Sequence, residues 1–221
     1  MKSRIKDTIK LEGIYVIVDY ALLQERNIEH VISQLLNAGI TLFQYRDKKQ
    51  NRRAFKKTAY SLLKKIHERN GLLIINDYPD IAREIGADGY HFGQSDLGNN
   101  LSELSSFSGV VGRTVRTVDE AIGAQKDGVD YIGAGALFPT TTKGNAPLMG
   151  LDRLHDIVRS VSIPVFGIGG ITCSVLRDVF AQHVAGIALC SGVFSHDTVY
   201  NNAQKYLRFY NQYKKKIKTA K

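Results

Sequence analysis

Residues 72–96, LLIINDYPDIAREIGADGYHFGQSD, read as strand, helix, strand. The apolar run 72–75 suits a strand covered on both faces, and it stops at Asn76-Asp77, where the polarity reverses. Ile81, Ala82 and Ile85 fall on one face of a helix over 78–85, which Gly86 ends. Residues 89–92 form a second buried strand that finishes at Gly93-Gln94-Ser95-Asp96. In a parallel βαβ unit both strands finish at the same edge of the sheet, which brings Asp77 and Asp96 to one place, with Asn76 and Gln94 beside them. Two such carboxylates suit Mg²⁺, which takes one or two carboxylate oxygens together with substrate phosphate and water. Helix capping is the other use of aspartates at these positions.

Outward from this unit the same alternation repeats. A strand over 14–18 closed by Asp19 precedes a helix over 28–38, and a strand over 40–45 precedes a long helix over 52–69. Beyond Asp96 the pattern predicts a weak helix near 101–107, a strand over 109–114, a helix over 118–126 and a strand over 130–135. A long loop is followed by a helix over 151–161, a strand over 163–166, a helix over 173–182, a strand over 185–189 and a last helix over 199–216. About eight βα units of this length, with no Pro/Gly-rich linker, predict a single α/β domain spanning 1–221 and folded as a (β/α)8 TIM barrel. Periodicity does not show closure, so a doubly wound open sheet stays open as the second reading.

With 43% hydrophobic and 23% charged residues, the 221-residue chain has the composition of one soluble α/β domain. The net charge of +9 is not spread over it: residues 1–10 carry +3 and 205–221 carry +7, leaving the body at −1. A basic N-terminal segment (1–12) and C-terminal tail (214–221) peripheral to the barrel are therefore expected, rather than a nucleic-acid site. Cys173 and Cys190 are too few and too far apart for a zinc knuckle or a disulfide framework; they read as buried small residues in a reducing compartment. No signal-peptide core and no run of eighteen apolar residues is present, so a cytoplasmic protein without a membrane partner is expected. Oligomeric state, including a homo-oligomer, is left open.

In a TIM barrel the functional residues stand at the C-terminal strand ends. On the second strand Gln44, Arg46 and Lys48 share a face with Leu42, so two cations and an amide rise inside the barrel if Leu42 is core. Buried cations need an anion, and a polyphosphate meets that need; an internal ion network with Asp77 or Asp96 is the alternative. The loop 137–147, LFPTTTKGNAP, offers three hydroxyls, a lysine and a glycine to a second phosphate contact. Residues 167–170, GIGG, and 190–192, CSG, follow the seventh and eighth strands, where this fold recurrently binds phosphate; a tight turn is the other reading. His91 lies within a strand and reads as a satisfied core histidine, and no Ser-His-Asp or Cys-His set can be assembled.

In this order, QYRDK at 44–48, Asn76-Asp77, GQSD at 93–96, TTTK at 140–143, GIGG at 167–170 and Ser191 resemble the thiamine phosphate synthase family over most of the chain. That resemblance implies a transferase that joins a pyrimidine diphosphate to a thiazole phosphate, releasing pyrophosphate. Residue by residue it implies that Gln44, Arg46, Lys48, Asn76 and Lys143 hold the diphosphate, with Tyr45 and Asp47 of the same motif among the binding residues. It further implies that Asp77 and Asp96 bind Mg²⁺, and that Thr140 and Thr142, with Gly170, Cys190 and Ser191, hold the thiazole phosphate, with Thr141 among the substrate-binding residues. Arg46, Lys48 and Lys143 are then the residues that meet charge developing on the leaving group. After the fifth strand the family pattern is Gly-x-Ser and often a histidine; here Thr114 keeps the hydroxyl and Arg116 stands where that histidine would be. A thiazole tautomerase of the related barrel group, or a phosphate-binding barrel without activity, are the alternatives.

Overall fold

The computed structural model describes residues 9–23, 26–93, 104, 106–140, 147–195 and 198–219. Eight parallel strands close into a barrel in sequence order: β1 (Gly13–Asp19), β2 (Leu42–Arg46), β3 (Leu72–Asn76), β4 (Gly89–Phe92), β5 (Val110–Val115), β6 (Tyr131–Ala134), β7 (Val165–Ile168) and β8 (Gly186–Leu189). Closure is direct, since β8 pairs back onto β1 with Gly186 opposite Gly13 and Leu189 opposite Val16. The open-sheet reading is thereby set aside.

Helices cover the barrel: α1 (Ile28–Ala38), α2 (Arg52–His67), α3 (Pro79–Ile85), α4 (Val118–Lys126), α5 (Gly150–Ser160), α6 (Leu176–Ala181), the short α7 (Ser191–Phe194) and α8 (Val199–Thr219). Their starts are written in the sequence. Asn27, Asn51 and Thr117 accept hydrogen bonds from the amides of His30 (3.0 Å), Ala54 (3.0 Å) and Glu120 (3.1 Å), satisfying donors that the first helical turn leaves open. Gly39 ends α1 at φ 100°, a left-handed conformation that costs glycine nothing. The helix expected near 101–107 lies mostly outside the described residues.

Strand alternation sorts the core into two compartments. Tyr15, Ile17, Leu42, Ile74, Val110, Tyr131, Phe166 and Ala188 point inward and fill the barrel, while their neighbours Val16, Phe43, Leu73, Ile75, Val111, Ile132 and Ile187 point out beneath the helices. Three inner rings meet edge to face, with centroids at 5.5 Å (Tyr15–Phe166), 5.8 Å (Tyr131–Phe166) and 6.0 Å (Tyr15–Tyr131). The barrel is thus a packed core and not a pore.

Three expectations are corrected. The seventh strand lies two residues later than 163–166, because Pro164 has no amide to donate; its carbonyl instead accepts from Ile132 N at 3.0 Å. Cys173 is exposed and Cys190 only half-buried, so neither is a core residue. The last helix runs on to Thr219, and its Lys214 pairs with Glu12 at 2.8 Å, so this part of the basic tail packs against the start of the barrel. Among the described residues no helix is long and apolar enough to cross a membrane.

Candidate active site

The inward-facing positions change character one rung above the aromatic layer. Following Ile17, Ile74 and Phe166 toward the strand ends come Asp19, Asn76 and Ile168, and beside them Gln44, Arg46, His91, Thr114 and Arg116. These residues line a cleft of about 290 Å³ at the C-terminal mouth, closed on the far side by Gly135, Ala136, Pro139, Thr140 and residues 168–172 and 188–192. The walls are mostly backbone and apolar, with a few convergent polar groups, the usual form of a small-molecule site.

Arg46 sits at this mouth because β2 alternates as expected, Leu42 and Gln44 inside and Phe43 and Tyr45 outside. Its guanidinium Nη1 donates to Asp19 Oδ2, and Asp19 Oδ1 also accepts from Ala21 N at 3.1 Å. Among the described residues the carboxylate opposite Arg46 is therefore Asp19 on the neighbouring strand, and not Asp77. Lys48, half-exposed at the rim, pairs instead with Asp77. Asp77 adopts φ 64°, a left-handed backbone that aspartate tolerates better than most residues, and its amide donates to His91 O at 2.8 Å. Arg116 adds a second guanidinium to the lining, and its buried Nε has no hydrogen-bond partner among the described residues. Two arginines against one carboxylate leave the cleft positive, which suits a phosphorylated ligand.

Across the mouth, the loops after β6 and β7 press together at two glycines. Gly169 (φ 95°) and Gly170 (φ 65°) hold left-handed conformations, and a Cβ on Gly170 would lie 2.5 Å from Pro139 O. Only glycine fits there, and the resulting bare backbone faces the cleft beside Thr140, Cys190 and Ser191.

Of the sequence-predicted residues, Gln44, Arg46, Asn76, Thr114, Thr140, Gly170, Cys190 and Ser191 converge on this one cleft. Lys48 and Asp77 stand at its rim as an ion pair. Tyr45 and Asp47 do not join them. Tyr45 is fully buried under the helices, its ring stacked 4.6 Å from Phe55, and Asp47 Oδ1 accepts from the amides of Lys49 (2.8 Å) and Gln50 (3.1 Å), holding the turn after β2. Asp96, Thr141, Thr142 and Lys143 lie outside the described residues. Asp19, His91 and Arg116 also line the cleft, although the sequence reading noted each of them without assigning it to the site. For His91 the signal was parity, since it pairs with Asn76 in register and shares its inward face; the histidine is both satisfied, as expected, and open to the cleft.

A closed (β/α)8 barrel with a positive, glycine-rimmed cleft at the strand C-termini defines a phosphate-handling TIM-barrel enzyme. Residues 14–193 match the family model described as thiamine monophosphate synthase, and the chain belongs to that family. It is 38% identical over 211 residues to a thiamine-phosphate synthase of Ruminiclostridium cellulolyticum, covering 95% of this chain and 98% of that one. It is 38% identical over 193 residues to a thiamine-phosphate synthase of Clostridium acetobutylicum, covering 86% and 91%. The solved thiamine phosphate pyrophosphorylase from Pyrococcus furiosus superposes with a TM-score of 0.83 at 31% identity, covering 90% of this chain and 96% of that one.

Proposed function

We propose that this cleft condenses 4-amino-5-hydroxymethyl-2-methylpyrimidine diphosphate with hydroxyethylthiazole phosphate, giving thiamine phosphate and pyrophosphate. The observation that carries the reading is the convergence of Arg46, Arg116 and Asn76 on one side of a single cleft, facing bare glycine backbone and Ser191 on the other. In a chain of this family, that arrangement offers one place for a diphosphate and another for a monophosphate. The bond between the pyrimidine methylene and the diphosphate oxygen breaks, the oxygen keeping the electron pair, and the thiazole nitrogen forms the new bond to the methylene.

No nucleophilic side chain is required for that exchange; what the barrel has to supply is charge on the leaving group and alignment of the acceptor. Arg46, already oriented by Asp19, and Lys48 and Lys143 are assigned to the diphosphate, together with Gln44 and Asn76. Gly170 and Ser191, with Thr140, Thr142 and Cys190, are assigned to the thiazole phosphate, and Thr114 to the cleft floor between them. Mg²⁺ is assigned to Asp77 and Asp96. The donors described at the end of β3 fit it: Asp77 gives one carboxylate and Asn76 an amide oxygen, hard ligands for an ion that fills its other positions with water and phosphate oxygens. When bound, the ion would neutralise charge gathering on the departing diphosphate.

We read the protein as cytoplasmic and as acting on small molecules without a nucleic-acid or membrane partner. Supporting this, the excess basic residues belong to the first segment and to the last 17 residues of the chain, and none of those among the described residues lines the cleft. The test of the function is incubation of the purified protein with both substrates and Mg²⁺. Thiamine phosphate and an equal amount of pyrophosphate are expected. Binding of thiazole phosphate with no product would overturn the reading in favour of a non-catalytic phosphate-binding barrel.

A further inference from the structure

Along the floor of the cleft, side chains from five strands form one hydrogen-bonded chain across the barrel. Gln44 Nε2 on β2 donates to the Tyr15 hydroxyl on β1 at 2.7 Å, and the Tyr15 and Tyr131 hydroxyls lie 2.9 Å apart. The Tyr131 hydroxyl on β6 meets His91 Nδ1 on β4 at 3.2 Å, and His91 Nε2 meets Thr114 Oγ1 on β5 at 2.9 Å. Gln44, His91 and Thr114 line the cleft, while Tyr15 and Tyr131 are sealed beneath it at 2% and 1% exposure. Packing fixes the two rings. Tyr131 lies over Gly112, where a Cβ would come within 2.1 Å of the ring, and both tyrosines meet Phe166 edge-on.

A hydroxyl has one proton to give, and a neutral imidazole has one donor and one acceptor nitrogen. Burial raises the pKa of both phenols, so each keeps its proton. With Gln44 Nε2 donating at one end, only one direction uses both buried phenol protons within the chain: Tyr15 donates to Tyr131, Tyr131 to His91 Nδ1, and His91 Nε2–H to Thr114. At the cleft, that direction leaves Gln44 Oε1 as an acceptor and the Thr114 proton as a donor. Running the chain backwards is also self-consistent, but it turns the Gln44 amide over and presents NH₂ there, with an acceptor at Thr114. Mixed arrangements leave a buried donor or acceptor unmade, which is costly away from water.

We infer that the Tyr15–Tyr131 hydroxyl pair determines specificity for the pyrimidine: it ties Gln44 to Thr114 and holds the observed sense, in which Gln44 Oε1 is left to take an amino donor, because turning Gln44 to meet a carbonyl would require every proton along the chain to reverse. This rests on the assignment of Gln44 to the pyrimidine diphosphate. Neither tyrosine touches the substrate; both are positioning residues.

Tyr15→Phe and Tyr131→Phe keep the ring packing and each remove one hydroxyl. The probes are the 4-amino pyrimidine diphosphate and its 4-oxo counterpart, each turned over with thiazole phosphate by the intact protein. The native protein is expected to favour the amino compound by about 100-fold or more in kcat/KM, as sites built around a hydrogen bond do. Either variant is expected to cut that preference by about tenfold or more, because Gln44 is then free to turn. Thr114→Val should change the preference in the native background and leave it unchanged in the Tyr131→Phe background, a coupling that loss of packing alone would not produce. A preference untouched in both variants, with the two substrates losing activity in parallel, overturns the inference. Should one tyrosine variant fail to fold, the other gives the same reading; should both fail, Gln44→Leu and Thr114→Val are compared singly and together, where non-additive effects on the preference support the inference and additive effects overturn it. Native protein that handles the two diphosphates equally well overturns the inference alone, whereas native protein that turns over neither overturns the proposed function with it.

Discussion

Ile74 and Asn76 stand two residues apart on the same inner face of β3, and the barrel treats them as different materials. Ile74 is fully buried among Tyr15, Leu42, Tyr131 and Phe166, whereas Asn76 opens onto the cleft beside Arg46 and His91. The same step occurs on β1 from Ile17 to Asp19 and on β2 from Leu42 to Gln44 and Arg46. One turn of the pleat thus separates a layer whose groups need only shape from a layer of amides and charges that need partners. Polar groups in the upper layer carry a desolvation cost that a ligand offsets, so that layer is where function is to be sought.

The comparison breaks most sharply at the rim. Asp77→Asn keeps the left-handed backbone of position 77 and removes only the charge that Lys48 and the proposed Mg²⁺ share. Lys48 is half-exposed, so the pair is screened by solvent on one side even though the Asp77 side chain is only 14% exposed, and unfolding free energy should fall by only about 1 kcal/mol. Activity should fall by about 10³-fold or more, since Asp77 would hold the Mg²⁺ that neutralises charge developing on the leaving group. The residual rate should also need more Mg²⁺ to saturate. Unaltered Mg²⁺ dependence in Asp77→Asn would place the metal elsewhere.

Within β3 itself the two layers should separate cleanly. Ile74→Ala opens a cavity in the packed rung and should lower unfolding free energy by about 2–5 kcal/mol, while kcat/KM of the folded protein stays within a few-fold of native. Asn76→Ala should do the reverse, costing about 1 kcal/mol or less in stability and about tenfold or more in kcat/KM. Denaturant melts and steady-state rates on the same samples decide it. Equal losses of both kinds in both variants would mean that the rungs are not separate compartments.

How much of this was legible in the sequence follows the same division. Strands and helices with clear periodicity were readable to the residue, as for α1, β4 and α4, because hydrophobic spacing and the caps Asn27 and Thr117 agree there. At β7 they disagree: Ile163 begins an apolar run, but Pro164 has no amide and gives its neighbour only a carbonyl, so the strand starts later. In the cleft, alternation predicted correctly that Gln44 and Arg46 face inward, and the same alternation sends Tyr45 to the helix layer, which a motif read as a block conceals. Asp19 was hidden because a strand-ending aspartate looks like a cap, and it is one, while also meeting Arg46. The Tyr15–Tyr131 contact joins residues 116 positions apart and leaves no local trace, so only closure of the barrel reveals it.

The smallest expected effect divides the cleft between its two proposed phosphates. Ser191 stands at the end of β8 on the glycine side, across from Arg46, and is assigned to a phosphate that is bound equally before and after the bond is made. Removing its hydroxyl takes one hydrogen bond from a charged partner, worth about 1.5–3 kcal/mol, without touching charge that develops during reaction. Ser191→Ala should therefore raise KM for thiazole phosphate by about 10- to 100-fold with kcat changed little, the signature of uniform binding. Lys143→Ala should show the opposite split, lowering kcat at saturating substrate, because a cation on the diphosphate gains value as the leaving group separates. If Ser191→Ala instead weakened only the diphosphate, or Lys143→Ala only the thiazole phosphate, the two sides of the cleft would have to be exchanged, with the glycine backbone of 169–170 serving the leaving group.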